Sequence, residues 1–217
     1  MKLFAWDMNG VLERGCDRVT IDISNEVLAR FGYRHRFDYE QSHILYGRTW
    51  SDYFAYLMPD EPPDRHRELQ DACFVLSAAQ PELLRRWMTP TPYAAAVLRA
   101  IAEAGHDQIV ISNTRQATLE TSLELLGLDG FFVPGRAFAV DQGDGRAPTT
   151  KAGLLATYLA GRPPFSELVI VGDSPGDMLL SRVAGGVTYL FVHPGVEFRD
   201  CPADFRVRDL RQVLNHA

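Results

Sequence analysis

Four short stretches carry residue types that could do chemistry together. The segment 7–12 reads DMNGVL, 111–114 reads ISNT and 172–177 reads GDSPGD, while Lys151 is one of only two lysines, the other being Lys2. A carboxylate such as Asp7, placed just past an apolar run with Gly10 in the turn behind it, can act as a nucleophile or a metal ligand. Asp173 and Asp177 lie four apart, so their carboxylates share one face if a helix begins there. With Asp7 they make three hard oxygen ligands of the kind that suits Mg²⁺. Ser112 offers a hydroxyl, followed by the backbone N–H groups of Asn113 and Thr114 at an expected helix start, where phosphate oxygens bind well. Lys151 follows Thr150 at another expected helix start, a place where the helix dipole does not favour a cation. It either lies in solvent or counters the charge of a bound phosphate.

Taken singly, each residue also has a plain structural reading. Asp7 could cap a turn, Ser112 or Thr114 could cap a helix, and acids are common at helix starts. Their placement along the chain favours chemistry over capping. The run KLFAW at 2–6, the β-branched run at 108–111 and the run LVIV at 168–171 read as buried strands, and each ends at one of the polar signatures. Helical spacing follows at 93–104 (closed by Gly105), at 115–126 (closed by Gly127), near 150–160, at 176–184 and at 209–215, with further strand-like runs at 131–133, 137–140 and 187–192. A loop rich in Gly, Asp and Pro separates 137–140 from the helix near 150. Strands alternating with helices predict a parallel sheet with right-handed crossovers. In such sheets ligands bind beyond the carboxyl ends of the strands, so Asp7, Ser112 and Asp173 are expected to face one crevice.

Between the first two signatures the pattern changes. Segments 22–31, 39–46, 50–58 and 64–77 have helical spacing, broken by Gly32, Gly47 and the prolines at 59–63, and no strand pattern is visible. The expected architecture is an α/β, Rossmann-like parallel core formed by 1–13 and 89–217, with an inserted all-helical cap domain at 14–88. A chain of 217 residues can bury a core of this size without covalent staples. Hydrophobic residues make up 46% and charged residues 23%, which excludes a disordered or collagenous chain. The net charge of −6, without a basic run, argues against a nucleic-acid partner. Cys16, Cys73 and Cys201 are odd in number and widely spaced, so neither a disulfide framework nor a zinc site is expected. No apolar run approaches the roughly 20 residues that span a bilayer, and the apolar run at the start is too short for a signal-peptide core. The expected setting is the cytoplasm, without membrane partners, as a monomer or homodimer.

In this order and spacing, the four stretches resemble the motifs of the haloacid dehalogenase superfamily, and the helical insert resembles that superfamily's smaller cap. The layout is most similar to the phosphoglycolate phosphatase and β-phosphoglucomutase branch. The resemblance implies that Asp7 is the nucleophile and forms an aspartyl-phosphate, that Ser112 and Lys151 hold the transferring phosphoryl group, and that Asp173 and Asp177 hold Mg²⁺ together with Asp7 and the backbone carbonyl of Asn9. The implied substrate is a small phosphorylated metabolite. Asn113 and Arg115, beside Ser112, are phosphate-side candidates, and Arg48, after Gly47, stands where related caps contact substrate and could grip a carboxylate or second phosphate. His43, Trp50 and Tyr53 read as packing residues. The cap carries ten Arg against twelve Asp and Glu, so it is no strongly cationic lid, and it contains no lysine for Schiff-base chemistry.

Position 9 departs from the family pattern. The resemblance implies Asp there, acting as general acid and then as general base, whereas Asn9 cannot exchange a proton at neutral pH. Three accounts fit: a chain altered to trap a complex, a slow or specialised enzyme, or a fold kept for another task. The leading expectation is a Mg²⁺-dependent phosphatase. A catalytically weak phospho-ligand binding or regulatory protein, a mutase-like phosphotransferase and a dehalogenase are the alternatives.

Overall fold

The computed structural model describes residues 1–45, 47–141, 149–193 and 201–217. The Gly- and Asp-rich stretch noted above falls at 142–148, outside the described residues. The chain divides into two compact units, Met1–Arg14 with Pro90–Ala217, and Gly15–Thr89.

The first unit contains strand β1 (Leu3–Trp6) and β2 (Glu13–Arg14), and the chain returns to it through β3 (Thr89–Pro90), whose Pro90 is the first residue back in the unit. All four residues of β1 are buried, as a strand covered on both faces requires. Helix α6 (Ala94–Glu103) buries Ala94, Val97, Leu98 and Ile101, one stripe at 3.6-residue spacing. Next come β4 (Asp107–Arg115), α7 (Gln116–Leu126), β5 (Ala137–Asp141), α8 (Lys151–Ala160) and β6 (Leu168–Gly172). Helices α9 (Pro175–Met178) and α10 (Ser181–Ala184), β7 (Val187–Phe191), β8 (Phe205–Val207) and a terminal 3₁₀ helix at Leu210–His216 complete it. The strands form a six-stranded sheet in the order β5-β4-β1-β6-β7-β8, parallel throughout. Trp6 is in register with Val110 on one side and with Val171 on the other. Leu3, Ala5, Ile109, Ile111, Leu168 and Ile170 pack with Leu155 and Tyr158 of α8 into one core cluster.

The α/β alternation read from the sequence is therefore the observed architecture, with local corrections. The stretch expected to open a helix at 112–114 belongs to β4. Pairing decides it, because β5 continues alongside, with Ser112 opposite Ala139 and Arg115 opposite Asp141 across a register shift. The apolar run at 131–133 is no strand; Asp129–Phe131 is a 3₁₀ turn. The single helix expected at 176–184 is two short ones, closed by Gly185 and Gly186 with positive φ. Strand β8 was not anticipated, because Phe205 and Arg206 are exposed and only Val207 is buried.

In the second unit the described residues form α1 (Cys16–Arg30), α2 (Gln41–Leu45), α3 (Trp50–Leu57), α4 (Pro63–Ala79) and α5 (Pro81–Trp87). Its core joins Val27 and Leu28 of α1, Phe37, Tyr53 and Phe54, and the α4 ridge Leu69, Cys73 and Leu76. Tyr53 is buried and Trp50 is half-buried with its ring edge-on to Phe74, as packing residues should be. The expected end of the 39–46 segment, residue 46, lies outside the described residues, as does the His43 side chain. Among the described residues no helix is long and apolar enough to cross a membrane.

Candidate active site

Asp7 is the first residue past β1, and its N–H continues the ladder by donating to the Val171 carbonyl at 2.8 Å. Ser112 and Asp173 lie two residues past Val110 and Val171, the partners of Trp6. Asp7 and Asp173 thus follow directly on the carboxyl ends of the adjacent strands β1 and β6, while Ser112 lies inside neighbouring β4, which continues to Arg115. Lys151 reaches this point from the first turn of α8, where Thr150 caps the helix by accepting from the Gly153 N–H. Its ammonium donates to Asp7 Oδ1 and to Asp177 Oδ1, both at 2.6 Å. Lys151 is 9% exposed and Asp177 2%, so this is an interior network rather than a surface ion pair.

The β6 turn is built to hold Asp177. Ser174 caps α9 and Asp177 returns the bond in a capping box. Asp177 Oδ2 accepts from the N–H groups of Asp173 and Ser174 at 3.3 and 3.2 Å and from the Ser174 hydroxyl. Gly172 is required here on steric grounds: a Cβ at that position would come 2.1 Å from Asp177 Cβ. Asp173 is almost fully buried, and Asp173 Oδ2 accepts from His193 Nε2 at 3.1 Å. In the β1 turn, the Gly10 N–H donates to Oε1 of the fully buried Glu13 at 3.1 Å, and Asn9 forms a backbone bridge with Glu13.

The electrostatics follow from gathering like charges out of water. Burial, with Asp177 and then Asp173 adding to it, outweighs the attraction of Lys151 and raises Asp7 from 3.8 to about 7. Burial works against the Lys151 charge, but Asp177 and Asp7 overcome it and hold the ammonium above its ordinary range. Ligand oxygens of Asp7, Asp173 and Asp177 lie within 4.8 Å of one another. Three buried carboxylates, answered by one ammonium between two of them, fit a hard divalent cation in both donor type and charge. The Ser112 hydroxyl is fully buried and has no hydrogen-bond partner among the described residues, so it can serve an anion's oxygen.

The other expected residues are placed differently. Asn113 is exposed on β4. Arg115 directs its Nε to Asp141 Oδ2 at 2.9 Å, an ion pair along the sheet. Arg48 is exposed in the helical unit, directly before Thr49, which caps α3 in a box with Asp52. Sequence reading missed Ser174, Glu13 and His193. The Ser174-x-x-Asp177 spacing is itself a capping-box signal, and His193 falls just past β7, where the strand-end rule applies. Glu13 gave no signal.

A parallel α/β sheet with an acid at the end of its first strand, a second acid pair after β6 and a bridging lysine is the arrangement that the motif resemblance implied. The model of the haloacid dehalogenase-like hydrolase family matches residues 1–185, and the chain belongs to that family. Among solved structures it is similar to a subfamily IA hydrolase of that superfamily from Geobacter sulfurreducens, with TM-score 0.68 and 20% identity, covering 100% of this chain and 96% of that one. CbbY from Rhodobacter sphaeroides, solved in complex with phosphate, gives TM-score 0.70 and 16% identity over 97% and 95% of the two chains. A family hydrolase from Deinococcus radiodurans, solved with bound phosphate and sodium, gives TM-score 0.64 and 20% identity over 97% and 92%. No curated protein matches the chain.

Proposed function

We propose that the protein is a Mg²⁺-dependent phosphatase of a small phosphorylated metabolite, working through an aspartyl-phosphate on Asp7. The observation that carries this reading is the Lys151 bridge between Asp7 and Asp177 beside Asp173, at the ends of β1 and β6, with the Ser112 hydroxyl on neighbouring β4 unpartnered among the described residues. Phosphoryl transfer needs positioning and charge neutralisation above all. Asp7, the Asn9 carbonyl, Asp173 and Asp177 would hold Mg²⁺, which when bound neutralises charge on the phosphoryl oxygens and keeps Asp7 ionised. Lys151 would then turn from the carboxylates toward the phosphate, and Ser112 would donate to one of its oxygens.

In the first step a carboxylate oxygen of Asp7 attacks phosphorus, the bond to the leaving oxygen breaks, and that oxygen takes its proton from water. In the second, water attacks the phosphorus of the acyl phosphate, releases free phosphate and returns the Asp7 carboxylate. Asn9 can orient the leaving oxygen or the water by hydrogen bonding but can give or take no proton. Turnover should therefore be slow, and fastest for substrates with acidic leaving groups. The same residue favours one second reading, a weakly catalytic phospho-ligand binding protein.

A panel of phosphorylated metabolites assayed for phosphate release with Mg²⁺ tests the reading. The chain should release phosphate from at least one member, and Asp7→Asn should abolish release while keeping its fold. If neither the chain nor Asn9→Asp hydrolyses any member, the second reading takes its place.

A further inference from the structure

His193 lies outside the four motifs, yet its ring meets one of the three clustered carboxylates. It follows β7 by two residues, is part-buried, and is braced by the Phe191 ring, whose centroid lies 5.3 Å away. Its Nε2 is 3.1 Å from Asp173 Oδ2. An ionised carboxylate oxygen can only accept, so facing the ionised form of Asp173 the Nε2 carries the shared proton. The contact joins the ends of two neighbouring strands, β6 and β7, across a separation of 20 residues.

We infer that His193 is a positioning residue for the divalent cation: its Nε2–H fixes the rotation of the Asp173 carboxylate and so prepares that acid as a ligand. The inference rests on the metal site proposed above. Asp177 is held by two backbone N–H groups, the Ser174 hydroxyl and Lys151, and Asp7 by Lys151. His193 does for Asp173 what those donors do for the other two acids. Partners that orient a metal-binding side chain typically change affinity by about 10–100-fold when removed.

Mn²⁺ titration followed by the electron paramagnetic resonance signal of the free ion reads this without turnover. The comparison is among the unaltered protein, His193→Ala, His193→Gln and Asp173→Asn, at one fixed pH. Gln carries an amide N–H at nearly the reach of Nε2 and serves as the conservative rescue. The inference predicts that His193→Ala weakens Mn²⁺ binding by about 10–100-fold, that His193→Gln recovers most of the loss, and that Asp173→Asn binds worst. If Asp173→Asn loses the ion while His193→Ala binds like the unaltered protein, or if Gln is as weak as Ala, the positioning role is wrong and the metal site stands. If the unaltered protein binds no Mn²⁺, or Asp173→Asn binds equally well, the metal site itself is wrong and this inference goes with it.

Discussion

The turn after β6 and the turn after β1 end neighbouring strands, yet they are built to different standards. In the β6 turn, every feature converges on fixing Asp177: a capping box, two backbone N–H donors, and a glycine whose missing side chain makes room. The β1 turn secures Asp7 through a lysine from a distant helix, and carries an amide at position 9 where the family pattern has an acid. On the proposed function, the part that would gather charge around a cation and an anion is complete, whereas the part that would move protons is not. Binding and chemistry can therefore be separated by mutation in this fold.

The largest effect should come from the residue that ties the two turns together. Lys151→Met leaves three buried carboxylates facing one another, and breaking such a buried pair costs about 3–5 kcal/mol. Urea denaturation with EDTA should show that loss, and millimolar Mg²⁺ should restore part of it. A loss below that of an exposed ion pair would mean that the network relaxes into water.

Gly172→Ala breaks the β6 turn alone. The new methyl must displace Asp177 or the strand, a strain of about 1–3 kcal/mol, and phosphate release should fall with it. A variant of unchanged melting temperature would show that the close approach of Gly172 and Asp177 is not a constraint.

The smallest effect has the opposite sign. Without a cation, folding raises Asp7 from its ordinary 3.8 to about 7, chiefly by burial. Between those values the folded protein holds a proton that the unfolded chain has released, so stability falls as pH rises through that window. Asp7→Asn has no such cost, although losing the Lys151 bond offsets part of the gain. In EDTA its melting temperature relative to the unaltered protein should be higher at pH 8 than at pH 5. An offset equal at both values would contradict the burial of a charged Asp7.

The sequence displays the site unevenly, for physical reasons. The clustered acids Asp7, Asp173 and Asp177 were legible because buried parallel strands are short apolar runs and ligands gather at their ends. Lys151 stood out through its rarity. Glu13 was not legible, because what makes it notable is a partner brought close by the fold, and His193 showed only its place past the β7 run. Likewise, whether 112–114 was strand or helix start depended on β5, some 25 residues on, and no local propensity reports that pairing. Arg115 illustrates the converse: its place beside Ser112 suggested a phosphate contact, and Asp141 takes its guanidinium instead.

In the proposed mechanism Asp7 attacks phosphorus while Asn9 withholds proton transfer. Steady-state kinetics of the chain and of Asn9→Asp, each on one alkyl and one aryl phosphate with Mg²⁺, test it most directly. Asn9→Asp should raise turnover by up to about 10²–10⁴-fold. The gain should be larger for the alkyl substrate, whose leaving group most needs a proton. Equal rates for the two proteins on the alkyl phosphate would contradict the claim and show that position 9 is not where the missing proton belongs.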